Sequence, residues 1–141
     1  MFAVAFAFDD TLTPPGDAQR VLHELDALGV PVAVLVRDAD EAARATAPPL
    51  AYAGPVVTAP HDGAGAPAAE AVGALAARFG LPPECIWYLT GRERGDAQAA
   101  SAAGAHGVYL ERIDDALEAL REPYTRSALN LRYIMRTVLK W

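Results

Sequence analysis

The first eight residues, Met1-Phe2-Ala3-Val4-Ala5-Phe6-Ala7-Phe8, are apolar without interruption and run directly into Asp9-Asp10-Thr11-Leu12 and a Pro14-Pro15-Gly16 loop. An apolar run of this length ahead of a turn predicts a strand covered on both faces, the first of a parallel α/β sheet. Its acidic pair then falls at the carboxyl end of the strand, where open α/β sheets build their sites. With no basic leader and two aspartates behind it, the run is expected to be neither a signal peptide nor a membrane span.

The chain beyond alternates helix and strand patterns. Val21, Leu22, Leu25 and Leu28 recur at i, i+1, i+4 and i+7 and predict an amphipathic helix over 17–28, closed by Gly29. A buried strand is expected over 32–36 and a short helix over 38–47, ended by Pro48-Pro49. A third strand follows over 55–58. An Ala-rich helix is expected over 67–79, a fourth strand over 85–90, a helix over 97–104 and a fifth strand over 107–110. A length of 141 residues fits one domain. The lone Cys85 excludes an internal disulfide and suits a reducing, cytoplasmic setting, where it is expected to be a buried, apolar-like strand residue.

The stretch Phe6-Ala7-Phe8-Asp9-Asp10-Thr11-Leu12 resembles the first motif of the haloacid dehalogenase-like superfamily, F-D-x-D-(D/G)-T-L. Phe6, Asp9, Asp10, Thr11 and Leu12 match, while the nucleophilic aspartate is replaced by Ala7. The resemblance implies that Asp9 is the retained acid–base position. A methyl at position 7 has no lone pair, which closes the covalent aspartyl-phosphate route. The segment Gly29 to Arg37 resembles the second motif, ending in Thr-Asn. Val36 stands for the phosphate-holding threonine and Arg37 for the asparagine. Gly80-Leu81-Pro82-Pro83-Glu84 matches the family's G-h-P-P-E turn, and fourteen residues before its glycine, where relatives carry Lys-Pro, stands Ala66-Pro67. That lysine neutralises phosphate charge, which alanine cannot do. In the fourth motif, G-D-x-x-x-D, Gly91 and Asp96 match, and the first Mg²⁺-holding carboxylate is replaced by Arg92.

The resemblance covers about residues 1–120 and implies a Rossmann-like three-layer α/β sandwich on a five-stranded parallel sheet, of the capless type. One key group is lost in each motif, at Ala7, Val36, Ala66 and Arg92. The expectation is therefore a catalytically inactive relative that acts as a binding, regulatory or scaffold module, with no cofactor and no metal. Asp9, Asp10, Thr11, Arg37, Arg92 and Asp96 are the candidates for an internal salt-bridge cluster or an anion site, since arginine forks well onto carboxylates. The alternative is a Mg²⁺-dependent phosphatase in which Asp9 is the nucleophile of a shifted Asp9-x-Thr11-x-Thr13 pattern. A third reading is a structural subunit of an oligomer. His61 beside Asp62, in a Gly/Pro loop, reads as a solvated pair.

Charge divides the chain. Residues 1–120 hold 7 Arg against 17 Asp and Glu, a net −10, whereas 121–141 hold 4 Arg and Lys140 against Glu122, a net +4. An acidic body argues against nucleic-acid binding. The segment 121–141 is read as an added basic amphipathic helix. Leu131, Ile134, Met135, Val138, Leu139 and Trp141 lie on one side, and Arg132, Arg136 and Lys140 on the other. Its apolar face predicts packing on this domain, on a second copy or on a protein partner, with Leu131, Arg132, Ile134, Met135, Arg136, Val138, Leu139 and Trp141 as contacts. A membrane surface is the remaining option.

Overall fold

The computed structural model describes residues 2–8, 11–59, 69–91 and 94–125. Five strands, β1 (Ala3–Ala7), β2 (Val32–Val36), β3 (Val56–Thr58), β4 (Ile86–Thr90) and β5 (His106–Tyr109), form one parallel sheet in the order β3-β2-β1-β4-β5. Between and after them run α1 (Pro15–Ala27), α2 (Ala39–Thr46), α3 (Ala69–Phe79), α4 (Arg94–Ala102) and α5 (Asp115–Ala119). The order reverses direction after β3, which makes β1 the central strand and puts its carboxyl end at the point where α/β sheets open a crevice.

Alternation along the strands makes two cores from one sheet. Val4 and Phe6 of β1, Val34 and Val36 of β2 and Leu89 of β4 face one way. They pack with Ala18, Val21 and Leu25 of α1, Ala45 of α2 and Ala116 of α5. Ala3, Ala5, Ala7, Ala33, Leu35, Ile86 and Tyr88 face the other way, against Ala71, Val72 and Leu75 of α3 and Ala100 of α4. The two layers of helices cover both faces, as the unbroken apolar run at the N-terminus requires. On the α3/α4 side β1 offers three alanines, so volume there comes from its neighbours, notably the fully buried Tyr88.

Differences from the sequence expectation are local. Cys85 is not a strand residue: it closes a 3₁₀ turn over Pro83–Cys85, with its N–H donating to the Pro82 carbonyl, and it is only partly buried. Two prolines ahead of it favour the turn, and the strand begins at Ile86. The helix α4 begins at Arg94, earlier than expected, which moves Asp96 from a loop into a first helical turn. A further helix, α5, was not anticipated, although Ile113, Ala116, Leu117 and Leu120 carry the helical spacing. Helical backbone resumes over 121–125, and Tyr124 packs against the α1 core.

At the amino-terminal edge of the sheet, a cleft of about 750 Å³ lies between α1, the 50–55 loop and the end of α3. Tyr52 in its wall donates its hydroxyl to the Val32 carbonyl at 3.2 Å. Burial, reinforced by the negative charge of Asp26, pushes the Tyr52 phenol up to about 12. The neutral phenol therefore stabilises the fold fully below the ordinary value of 10.0, and that contribution is lost as pH rises from there through 12. An absorbance titration of phenolate is expected to show a component with its midpoint near 12 that is absent from Tyr52→Phe. Identical alkaline titrations of the two proteins would refute this.

Candidate functional site

The carboxyl ends of β1, β2 and β4 meet at the crevice. Phe6 pairs with Leu89 and Ala7 with Leu35, so the next residues, Thr90 of β4 and Val36 of β2, end the strands on either side of β1. Ala7 is 8% exposed and Val36 and Thr90 are fully buried. The ends of these neighbouring strands thus present the Ala7 methyl on the α3/α4 face and the Val36 isopropyl group on the α1/α2 face, neither able to accept or donate a hydrogen bond. Immediately beyond, the β1 and β4 loops are tied together. The buried Thr11 hydroxyl accepts the Gly91 N–H at 2.8 Å across 80 residues of sequence.

Arg37 follows β2 directly and is engaged by Glu41, a residue that the sequence reading did not single out. The Glu41 Oε2 accepts from Arg37 Nε at 3.0 Å and Nη2 at 2.7 Å, while Oε1 accepts the Arg37 backbone N–H at 2.8 Å. Local sequence explains the geometry. Asp38 is the N-cap of α2 and accepts the Glu41 N–H at 2.8 Å, and Glu41 reaches back over the cap, as the third residue of a capping box does. Here it reaches one residue further, to Arg37. The Asp38-x-x-Glu41 spacing was the available signal.

Glu41 is 2% exposed. Burial alone would raise its carboxyl, but the Arg37 side-chain and backbone hydrogen bonds and the guanidinium charge together bring it below the ordinary 4.5. A second arginine of α2, Arg44, lies with its Nη2 3.9 Å from the same Oε2 and its guanidinium 5.4 Å from the Phe8 ring centroid. On the other flank, Arg94 lies 4.7 Å over the Tyr109 ring and 3.7 Å from Glu111. Asp96 is 2% exposed in the first turn of α4, where the helix dipole favours a carboxylate.

Of the sequence candidates, Ala7, Thr11, Val36, Arg37 and Asp96 therefore lie at the carboxyl edge of the sheet or in the turns leaving it. Asp9, Asp10, Ala66 and Arg92, with the 61–62 pair and the segment residues Leu131 to Trp141, lie outside the described residues. Among the described residues no group of three His, Cys, Asp or Glu side chains could hold a metal ion, and no helix is long and apolar enough to cross a membrane.

The family model for haloacid dehalogenase-like hydrolases matches residues 2–104. This chain belongs to that family. The match ends after α4, so the hydrolase-type core comprises β1 to β4 with their helices, and β5 and α5 complete the sheet and its covering layer beyond it. A crystal structure of an uncharacterized protein from Corynebacterium glutamicum ATCC 13032 Kitasato is similar in fold. Its TM-score is 0.68 and its identity 19%, with 89% of this chain and 96% of that one covered. Among curated proteins none is significantly similar to this chain.

Proposed function

We propose that this haloacid dehalogenase-like domain does not transfer phosphoryl groups and works as a binding or regulatory module. The observation that carries the reading is the methyl of Ala7 on the last residue of the central strand, the position at which the family's first motif holds its nucleophile. Val36, at the end of the neighbouring strand β2, lacks the hydroxyl that would hold a phosphate oxygen. The Mg²⁺ set of the family does not fit these residues either. Arg92 puts a cation where a carboxylate ligand belongs, and Mg²⁺ demands oxygen donors in near-octahedral geometry.

The fork between Arg37 and Glu41 supports the same reading. Arg37 stands where the family's second motif has an uncharged residue, and a buried carboxylate of its own helix cap answers its charge. The Arg37 charge is thus answered by a carboxylate of the same helix cap. Any anion that binds here must compete with Glu41 for the guanidinium.

The test is an assay with generic aryl phosphates in the presence of Mg²⁺, paired with calorimetric Mg²⁺ titration. Neither turnover nor metal-binding heat is expected. Turnover that Asp9→Asn abolishes would overturn the proposal and establish Asp9 as the nucleophile of the shifted pattern.

A further inference from the structure

The cleft of about 750 Å³ at the amino-terminal edge of the sheet lies opposite the strand-end crevice, and its size is that of a small-molecule site. One of its walls, the 50–55 loop, is held in place from several sides. Gln19 of α1 donates from Nε2 to the Pro49 and Leu50 carbonyls, at 2.7 and 2.9 Å, and so fastens the start of the loop to the helix. The Ala51 and Tyr52 N–H groups donate to the Ala47 and Ala45 carbonyls, both at 2.9 Å. Ala51 sits at φ 49°, a left-handed backbone that a residue with a β-carbon adopts only where its surroundings hold it there.

The charges that line this cleft are of both signs and unmatched. Among the described residues, Arg20, Arg37, Arg44, Arg94, Arg112 and Arg121 each have a carboxylate within 4.0 Å. Arg78, near the end of α3, has no ion pair or side-chain hydrogen bond among them, and neither has Asp26, near the end of α1, although both line the cleft. The Asp26 charge instead reaches the Tyr52 phenol in the facing loop. His23, one turn earlier on α1, adds an imidazole to the same wall, and Leu22, Val30, Leu50 and Phe79 supply an apolar lining.

This pattern selects its ligand by exclusion. An anion alone is repelled by Asp26 and a cation alone by Arg78, while an uncharged apolar molecule desolvates both without pairing either. A small molecule with both signs on an apolar body satisfies all three parts of the lining, and an apolar α-amino acid is the simplest of that kind. We propose that the cleft binds an α-amino acid with a large apolar side chain, its ammonium on Asp26, its carboxylate on Arg78 and its side chain against Leu22, Val30, Leu50 and Phe79. The inference is independent of whether the strand-end site turns over a phosphate.

A chemical-shift titration of the full chain with L-phenylalanine tests it. Saturable shifts are expected in the 50–55 loop and the end of α1, with a dissociation constant of roughly 0.1–1 mM, because both charged groups are solvent-exposed. Phenylacetate lacks the ammonium and 2-phenylethylamine the carboxylate, and each is expected to bind the parent roughly five- to tenfold more weakly. Substitutions should then cross over. Arg78→Gln is expected to weaken L-phenylalanine and phenylacetate but not 2-phenylethylamine, and Asp26→Asn to weaken L-phenylalanine and 2-phenylethylamine but not phenylacetate. Both side chains are exposed, so the variants are expected to melt with the parent, and the comparison of three ligands on the parent needs no variant. The absence of saturable shifts at millimolar L-phenylalanine, shifts confined to the strand-end crevice, a single-charge ligand that binds as tightly as the amino acid, or variants that weaken all three ligands alike would each overturn the proposal.

Discussion

Replacing Gly107 with alanine is expected to cost this protein about 3 kcal/mol or more, the upper end of what overpacking a well-packed interior does. Gly107 lies in β5 where α4 crosses it. A β-carbon there would overlap the Ala97 carbonyl oxygen and come within 2.6 Å of its carbon and 2.9 Å of the Ala97 Cα. These are backbone atoms, so no side chain can swing aside, and helix and strand must separate. The Gly107 N–H also donates to the Ser101 hydroxyl at 3.1 Å, a link that separation stretches. For a domain of this size the loss corresponds to a fall in Tm of roughly 6–12 °C. Gly73, inside α3, is the control: an added β-carbon there meets nothing within 4 Å. Gly73→Ala is expected to gain about 0.5–1 kcal/mol from helix propensity. Thermal melts of the two variants should move in opposite directions, and a Gly107→Ala protein melting with the parent would contradict the packing of α4 on β5.

Arg37→Ala is expected to destabilise the fold by about 2–3 kcal/mol at neutral pH, because it strands a carboxylate rather than merely deleting a surface charge. Glu41, 2% exposed in the parent, would lose both guanidinium hydrogen bonds and keep Arg44 at 3.9 Å. Arg37 is itself a third exposed, which discounts the cost below that of a wholly buried pair. The pH dependence follows from the direction of the shift. The Glu41 carboxyl is held below 4.5 in the folded protein, so its contribution is complete above that value and fades as pH falls through the lower, folded one. In Arg37→Ala the side-chain hydrogen bonds and the guanidinium charge that oppose burial are lost, and the carboxyl rises. The gap between variant and parent therefore narrows in acid, as Glu41 protonates in both. Denaturant unfolding at neutral and acid pH checks this, and a gap that widens in acid would exclude Glu41 as the origin. A double-mutant cycle with Glu41→Gln isolates the pair.

Much of the scaffold was legible because its signals are local. The run Met1 to Phe8 announced a strand buried on both faces, and β1 is buried at every position. The apolar spacing of residues 17–28 matched α1 to within two residues at its start. The spacing signal of α5 is equally local, in Ile113, Ala116, Leu117 and Leu120, but short, and α5 carries none of the family's motifs. Cys85 was misplaced for a different reason. Its apolar neighbours continue into β4, and only the Pro82-Pro83 pair marked the turn that precedes the strand.

The strand-end site divided in the same way. That position 7 carries a methyl and position 36 an isopropyl group is a matter of residue identity, and no fold can change it. That the two strand ends lie next to each other, with these groups on opposite faces of the sheet, is a matter of strand pairing, which joins residues about thirty apart. Glu41 shows the boundary most clearly. Its capping spacing from Asp38 was visible in the sequence, but its grip on Arg37 depends on the angle at which α2 leaves β2.

By itself the sequence determined the alternation of strands and helices, the parallel class of the sheet, and which residues stand at the positions that resemble the four motifs. These follow from periodicity and residue type, which act over a few residues. Only the tertiary structure decided the strand order, the closeness of Gly107 to Ala97, the tie between Thr11 and Gly91, and the cleft between α1 and the end of α3. Each joins elements distant in the chain, and their meeting is set by how the two layers of helices cover one sheet, a property of the whole packing that no short window contains.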